Sequence, residues 1–227
     1  MLVLALDTST ELGTVGLVRD SELLCELRFN IKISPHSERL IPAIDRVISS
    51  SNVSIKDLNL ISVVIGPGSF TGLRVGLSCA KGLSFATGVP VVGVGTLDCL
   101  VRQLQGVKIP IVPLVDAKRN LIYSSIYVDE KPLFPPMALT YEELAQQLEK
   151  RSIFMVTGPA VELYKKRLAE NFRENLVFSH PVARYISAFT VAELGTKIYQ
   201  SNGAPELAGL EPIYIRGADV KLGKTII

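Results

Sequence analysis

The chain has 227 residues, 48% of them hydrophobic and 20% charged, with a formal net charge of +2. It can bury a core as one large domain or two small ones, and no apolar run reaches the ~20 residues of a membrane span. So small a charge gives no argument from composition for nucleic acid.

Leu2 to Leu6 reads as a short apolar strand, ended by the hydroxyl-rich turn Asp7-Thr8-Ser9-Thr10. Thr14 to Val18 reads as a second strand, turning at Arg19-Asp20-Ser21 into Glu22 to Phe29. The chain thus opens as an antiparallel meander. Ser34-Pro35 fits an N-cap followed by proline at the first helical position. Leu40, Ile41, Ile44, Val47 and Ile48 then form a helical stripe, with Pro42 predicting a late start or a kink. Ser54 and Asp57 suit a small capping turn.

Leu60 to Ile65 is an apolar run with the character of a buried strand. It leads into Gly66-Pro67-Gly68-Ser69-Phe70-Thr71-Gly72-Leu73-Arg74-Val75-Gly76, a stretch dense in turn formers, and then a helix expected over Arg74 to Ala86. Unpartnered backbone N–H groups and the positive end of the helix dipole gather at such a turn, a place for an anion. Leu73 stands where a Walker loop needs Lys, and Thr71 where a dinucleotide fingerprint needs its third glycine. No Asp or Glu occurs between Leu58 and Leu97. The stretch is either an anion cradle or a glycine-rich turn with no ligand. Gly72, Gly76 and Ala80 fall four apart, a small face that lets a neighbouring backbone come close.

Val91 to Val94 is the next strand, and Thr96 to Leu104 starts a short helix. The organisation then restarts. Ile109 to Val115 is a strand, Asp116-Ala117-Lys118-Arg119-Asn120 a turn, Leu121 to Val128 a strand, and Lys131 to Pro136 a connector. Thr140 to Lys150 is an amphipathic helix with Thr140 as N-cap and Glu143 completing a capping box. Ile153 to Val156 is a strand, and Thr157-Gly158-Pro159-Ala160 a poorer glycine turn before a helix over Val161 to Glu170. Ser187 to Ser201 is the last long helix, and the tail from Pro212 is irregular with a basic end. Each half opens with strands around an Asp-led turn and later shows a glycine turn at a helix start. A ligand cleft between the halves is expected.

Leu4-Ala5-Leu6-Asp7-Thr8-Ser9-Thr10, the Gly66 to Gly76 stretch, Val92-Gly93-Val94-Gly95-Thr96-Leu97 and Val115-Asp116-Ala117-Lys118 occur in an order and spacing that closely resembles the bacterial TsaB family, also called YeaZ. The match covers the first ~130 residues well. The resemblance implies a two-lobed α/β architecture of the sugar kinase, heat-shock ATPase and actin type, ribonuclease H-like, with mixed sheets. The expected lobes are 1–107, carrying the glycine turn, and a smaller, degenerate 108–227. It implies a non-catalytic role in making N6-threonylcarbamoyladenosine in tRNA, next to the anticodon. The implied partners are a related catalytic subunit, TsaD-like, an ATPase, TsaE-like, and tRNA as substrate of the complex. Lys118 departs from the Asp-Ala-Arg that relatives often carry.

The resemblance also sorts the site residues. Superfamily ATPases place their first phosphate loop where Asp7, Thr8 and Ser9 stand, and Asp116 matches the second place. Together with Gly66, Gly68, Ser69, Thr71 and Gly72 these are the candidates for weak ATP or ADP binding, with Mg²⁺ held through water by the two aspartates. The alternative is that each Asp caps its own turn; no cofactor is expected on this chain alone. Catalytic relatives bind a metal through two histidines four apart, and Thr96 and Leu100 occupy those positions here, so no metal site is expected. The only histidines are His36 and His180. No nucleophile–base pair is visible, so no catalytic residue is assigned. The competing reading is a nucleotide-hydrolysing or kinase-like enzyme using Asp7 and Asp116; a metalloprotease is argued against by Thr96 and Leu100.

The partner surface is expected on two helices of the first half. Its candidates are His36, Leu40 and Ile44 on one, and Arg74, Leu77, Ser78, Lys81 and Phe85 on the other. The same helices are expected to pair two copies when the partner is absent. Arg74 and Lys81 on one helix face, and Lys118, Arg119, Lys165, Lys166, Arg167, Arg216, Lys221 and Lys224, are either solvated faces or tRNA contacts. Cys25, Cys79 and Cys99 are odd in number without metal spacing, and read as reduced thiols of a cytoplasmic protein. The strand starting at Leu2 leaves no room for a signal peptide.

Overall fold

The computed structural model describes residues 1–30 and 36–215, and of 36 and 37 the backbone only. The expected Ser34-Pro35 cap and the basic tail from Arg216 lie outside the described residues.

The first strand, β1 (Leu2–Asp7), is buried along its whole length. It pairs antiparallel with β2 (Leu12–Arg19), which pairs antiparallel with β3 (Glu22–Asn30). Helix α1 (His36–Ser50) follows, running through Pro42 rather than starting after it. Pro42 sits on the exposed side, where water reaches the backbone. After a capped turn at Ser54 and Asp57 come β4 (Leu60–Gly66), α2 (Phe70–Thr87) and β5 (Val91–Gly95). The sheet order is β3-β2-β1-β4-β5, with β1, β4 and β5 parallel. Side chains alternate across a strand. Leu2, Leu4 and Leu6 therefore pack with α1 and α2, while Val3 and Ala5 face the opposite core.

Helix α3 (Thr96–Arg102) leads to the second half. The single strand expected over 109–115 is two, β6 (Ile111–Pro113) and β7 (Val115–Asp116), in different sheets. The partner run likewise splits into β8 (Leu121–Ser124) and β9 (Tyr127–Val128). The connector contains β10 (Lys131–Pro132) and leads to β11 (Met137–Thr140). Helix α4 (Tyr141–Leu148) carries the expected Thr140–Glu143 capping box. Strand β12 (Phe154–Thr157), α5 (Val161–Asn171), β13 (Leu176–Phe178) and α6 (Ala188–Asn202) complete the described elements. The second sheet is β10-β9-β6-β12-β13 and the third β11-β8-β7.

Helix α6 lies beyond the expected boundary at 107/108, yet it packs on β1, β2, β4 and β5 of the first sheet. Ala188, Val191 and Ala192 are buried there with Val3, Ala5 and Val92, and Ser62 Oγ donates to Val191 O at 2.7 Å. A sheet with helices on one side only would leave Val3 and Ala5 wet; α6 is the element that covers them. No described helix is long and apolar enough to cross a membrane.

Candidate functional site

Asp7, Thr8 and Ser9 leave the C-terminal end of β1 and are all buried, at 1%, 0% and 1% exposure. Asp7 Oδ1 accepts from Ser9 N at 2.8 Å. Asp7 Oδ2 and Ser9 Oγ are buried with no hydrogen-bond partner among the described residues. Burial pushes the Asp7 carboxyl up to about 6, with the hydrogen bond from Ser9 N pulling the other way.

The glycine-rich turn packs onto this loop. Ser69 N donates to Ser9 O at 2.7 Å, and a Cβ at Gly68 would fall on that same oxygen. Thr8 Oγ1 donates to Gly72 O at 2.7 Å, and a Cβ at Gly76 would fall on the Thr8 hydroxyl. The small face of α2 therefore lies against the loop after β1, as its four-residue spacing suggests. The helix begins at Phe70, four residues before the expected Arg74, because Ser69 Oγ caps it by accepting from Gly72 N at 3.2 Å. So the structure brings together Asp7, Thr8, Ser9, Gly66, Gly68, Ser69 and Gly72, but they fill one another's space. Thr71 is exposed on the first turn.

A last segment covers the other side of the turn. Ile213 N donates to Ile65 O at 2.7 Å, and Gly66, at φ 119°, would place a Cβ 2.8 Å from Ile213 O. Only glycine takes that backbone without strain or collision. The sequence alone gave no warning of this contact.

In the second half Asp116 is engaged within its own turn. Its Oδ1 accepts from Lys118 N at 2.7 Å and its Oδ2 from Lys118 Nζ at 2.6 Å. The two halves meet through α3. Tyr127 OH donates to Asp98 Oδ1 at 2.8 Å, and Arg102 holds Glu130 at 2.7 Å and also pairs with Glu193. None of these three pairings is legible in the sequence.

The expected partner residues separate. Leu40 (1% exposed), Ile44 (4%) and Leu77 (5%) are core residues, packed with Leu4, Leu6 and Ile61, so their assignment to a surface is corrected. On α1 the i and i+4 positions 40 and 44 face β2, and the exposed side carries Ile41 and Asp45 instead. Phe85 is 90% exposed, Arg74 and Ser78 are exposed, and Lys81 is half-buried. The side chain of His36 lies outside the described residues.

The comparisons with known proteins follow this architecture. A family profile described as "TsaD: tRNA N6-adenosine threonylcarbamoyltransferase" matches residues 30–197. A Bacillus subtilis (strain 168) protein named tRNA threonylcarbamoyladenosine biosynthesis protein TsaB is 26% identical over 231 residues, 97% of this chain and 96% of its own. The chain belongs to the TsaB (YeaZ) family. A solved structure titled YeaZ from Pseudomonas aeruginosa has the same fold, with a TM-score of 0.77 at 23% identity over 94% of this chain and 99% of that one. The ROK hexokinase of Thermus thermophilus shares the fold more distantly, at a TM-score of 0.53 and 14% identity over 88% of this chain and all (100%) of its own. The actin-like ATPase class of the TsaB family is thus the fold of this chain.

Thr96 and Leu100, where catalytic relatives of the TsaB family are expected to carry histidines, are both 0% exposed. Thr96 Oγ1 has no hydrogen-bond partner among the described residues, and Leu100 is part of the core shared by α3, α6 and the second half. Among the described residues no group of three or more His, Cys, Asp or Glu is placed to hold a metal. Cys99 is buried and Cys25 and Cys79 are half-buried, all as free thiols.

Proposed function

We propose that this chain is a non-catalytic subunit needed to form N6-threonylcarbamoyladenosine in tRNA, next to the anticodon, and that it acts by pairing with a TsaD-like catalytic subunit. The TsaE-like ATPase and tRNA join that pair, in the cytoplasm. The observation that carries this reading is the character of positions 96 and 100. A buried threonine and a buried leucine on α3 cannot replace two metal-binding imidazoles. The exposed face of α2, with Phe85 in its last turn, is the pairing surface; a large ring at 90% exposure suits an interface more than a solvent face. The same face pairs two copies in the free protein.

The test is reconstitution with a TsaD-like protein, a TsaE-like protein, tRNA, ATP and preformed threonylcarbamoyl-adenylate as the donor. Modified nucleoside should form only when this chain is present, and the chain with tRNA but no TsaD-like protein should give none. Product from this chain without the TsaD-like protein overturns the reading.

A second reading, weak nucleotide binding, is favoured by one observation: among the described residues Asp7 Oδ2 and Ser9 Oγ have no hydrogen-bond partner beside the helix start. Asp7 would hold Mg²⁺ through water and Ser9 would donate to a phosphate oxygen. The packed turn leaves the N-terminus of α2 little room for such a group, which supports the absence of a cofactor on this chain alone. Phosphate release from ATP by the isolated chain, lost in Asp7→Ala, would instead establish the enzyme reading.

A further inference from the structure

The described chain ends in a strap that passes from one face of the first sheet to the other. Leu207 and Leu210 pack into the core between the sheet and helices α1 and α2, with Leu210 only 7% exposed. Ile215 packs against the opposite core, the one that holds Val64 and Val94. Between them the strap touches the carboxyl end of β4. Ile213 N donates to Ile65 O at 2.7 Å, and Ile213 O lies 2.8 Å from where Gly66 would carry a Cβ. The strap therefore crosses over the end of the sheet. Open α/β sheets take their ligands there, outside the carboxyl ends of the strands.

The strap also holds the start of α2. The Tyr214 ring meets Phe70 with centroids 5.0 Å apart, and its hydroxyl accepts from Arg74 Nε at 2.9 Å. On its other side the glycine turn meets the Asp7 loop, through Ser69 N and Ser9 O. Asp7 Oδ2 and Ser9 Oγ are buried in that loop without a hydrogen-bond partner among the described residues. The turn is thus held between these polar groups and the strap.

The strap is docked without being woven in. It adds no strand to the sheet. Among the described residues, the backbone bond from Ile213 is its link to β4. Ile213 and Tyr214 keep 44% and 41% exposure. Few buried contacts and exposed backbone bonds mark a segment that opens locally while the rest of the fold stays closed.

We infer that this strap is an autoinhibitory cover: closed, it denies a nucleotide's phosphates the crevice at the start of α2, and nucleotide binds only the form in which residues 213–215 have lifted. The inference rests on the weak-nucleotide reading above and supplies the cause of the weakness. Apparent affinity falls by the fraction of molecules that are open.

The experiment uses the full chain, magnesium ADP as the probe, and two readouts: calorimetric affinity and hydrogen exchange of the Ile213 amide. Tyr214→Ala removes the head of the strap and leaves its backbone bond in place. It should speed exchange at Ile213 about tenfold and tighten ADP binding by the same factor, since both follow the open fraction. Ile213→Pro, which lacks the N–H, should tighten binding at least as much. Saturating ADP should speed Ile213 exchange in the natural chain, because linkage is reciprocal. Faster exchange in Tyr214→Ala with ADP affinity equal to that of the natural chain overturns the inference and leaves the nucleotide reading standing. ADP binding to neither protein overturns both. Exchange that rises equally in β12 and α5 makes the segment part of the global fold rather than a cover, and also overturns the inference.

Discussion

The hydroxyl of Thr8 occupies the place where residue 76 would carry a Cβ, while donating to Gly72 O at 2.7 Å. One side chain at the end of β1 thereby joins two turns of α2 and requires a residue without a side chain between them. Alanine at 76 would gain about 1 kcal/mol of helix propensity over glycine. Overpacking costs roughly 1–3 kcal/mol, so the clash wins. Gly76→Ala should lower stability in urea, and Thr8→Ala should lower it through the lost hydrogen bond. The pair together should lose less than the sum, with a coupling of about 1 kcal/mol. Additive losses would show that the hydroxyl simply moves aside.

Asp7 makes stability depend on pH in a definite direction. Its folded value of about 6 lies above the ordinary 3.8 because burial disfavours the charge. Between those values the native state holds the proton more tightly than the unfolded chain. The stabilisation is full below the lower value and is lost as pH rises through the upper one. Asp7→Asn keeps an acceptor for Ser9 N and removes the charge. It should be more stable than the natural chain at pH 7–8, by up to about 3 kcal/mol. The advantage should shrink as pH falls from 6 toward 4. Parallel stability curves for the two proteins would contradict the burial argument.

Aspartate scanning along α2 should separate its two arcs. Leu77→Asp buries a charge among Leu4, Leu6 and Ile61 and should cost at least ~3 kcal/mol, enough to unfold a marginal domain. Phe85→Asp meets only water in the free chain and should shift stability by no more than about 0.5 kcal/mol. Chemical denaturation of both variants checks this. A folded, stable Leu77→Asp would place that residue on the surface after all.

Arg102 joins the halves through Glu130 and Glu193, with 12% of its side chain exposed. Replacing it with Gln leaves Glu193 with Lys197 as its remaining cation, at 3.2 Å, at a cost of about 1 kcal/mol. Glu130→Gln should cost less than 1 kcal/mol, since that carboxylate is 39% exposed. The bond from Arg102, first among its causes, lowers the Glu193 value below the usual 4.5. The contribution of the pair is therefore present above that value and lost as pH falls through the depressed one. The difference between natural chain and Arg102→Gln should narrow as pH falls below the ordinary carboxylate range. A difference constant down to pH 3 would exclude the ion pair as its source.

The local signals of the sequence were sufficient for most elements. Alternating and continuous apolar runs marked β1, β2, β4 and β5 because a pleated strand repeats every two residues. Thr140 with Glu143 marked the start of α4 because the box satisfies the first N–H groups from within four residues. The start of α2 was misjudged by four residues because Ser69, not the glycines, supplies its cap. Residues 109–115 read as one strand because periodicity does not record that Leu114 lies between two strands of different sheets.

By itself, then, the sequence determined the order of strands and helices, the glycine turn after a buried strand, the small face of α2 and the family motifs. Those depend on interactions within a few residues and on side-chain size. Only the tertiary structure decided that Leu40, Ile44 and Leu77 are core while Phe85 is exposed. Spacing sets the angle of a residue about a helix axis, but neighbouring elements choose which arc is covered. The covering of the glycine turn was equally beyond local reading, because Arg74 and Tyr214 meet across 140 residues of chain. Nothing near Gly66 in sequence says that Ile213 will cross it; the collision with a Cβ exists only once the segment has docked.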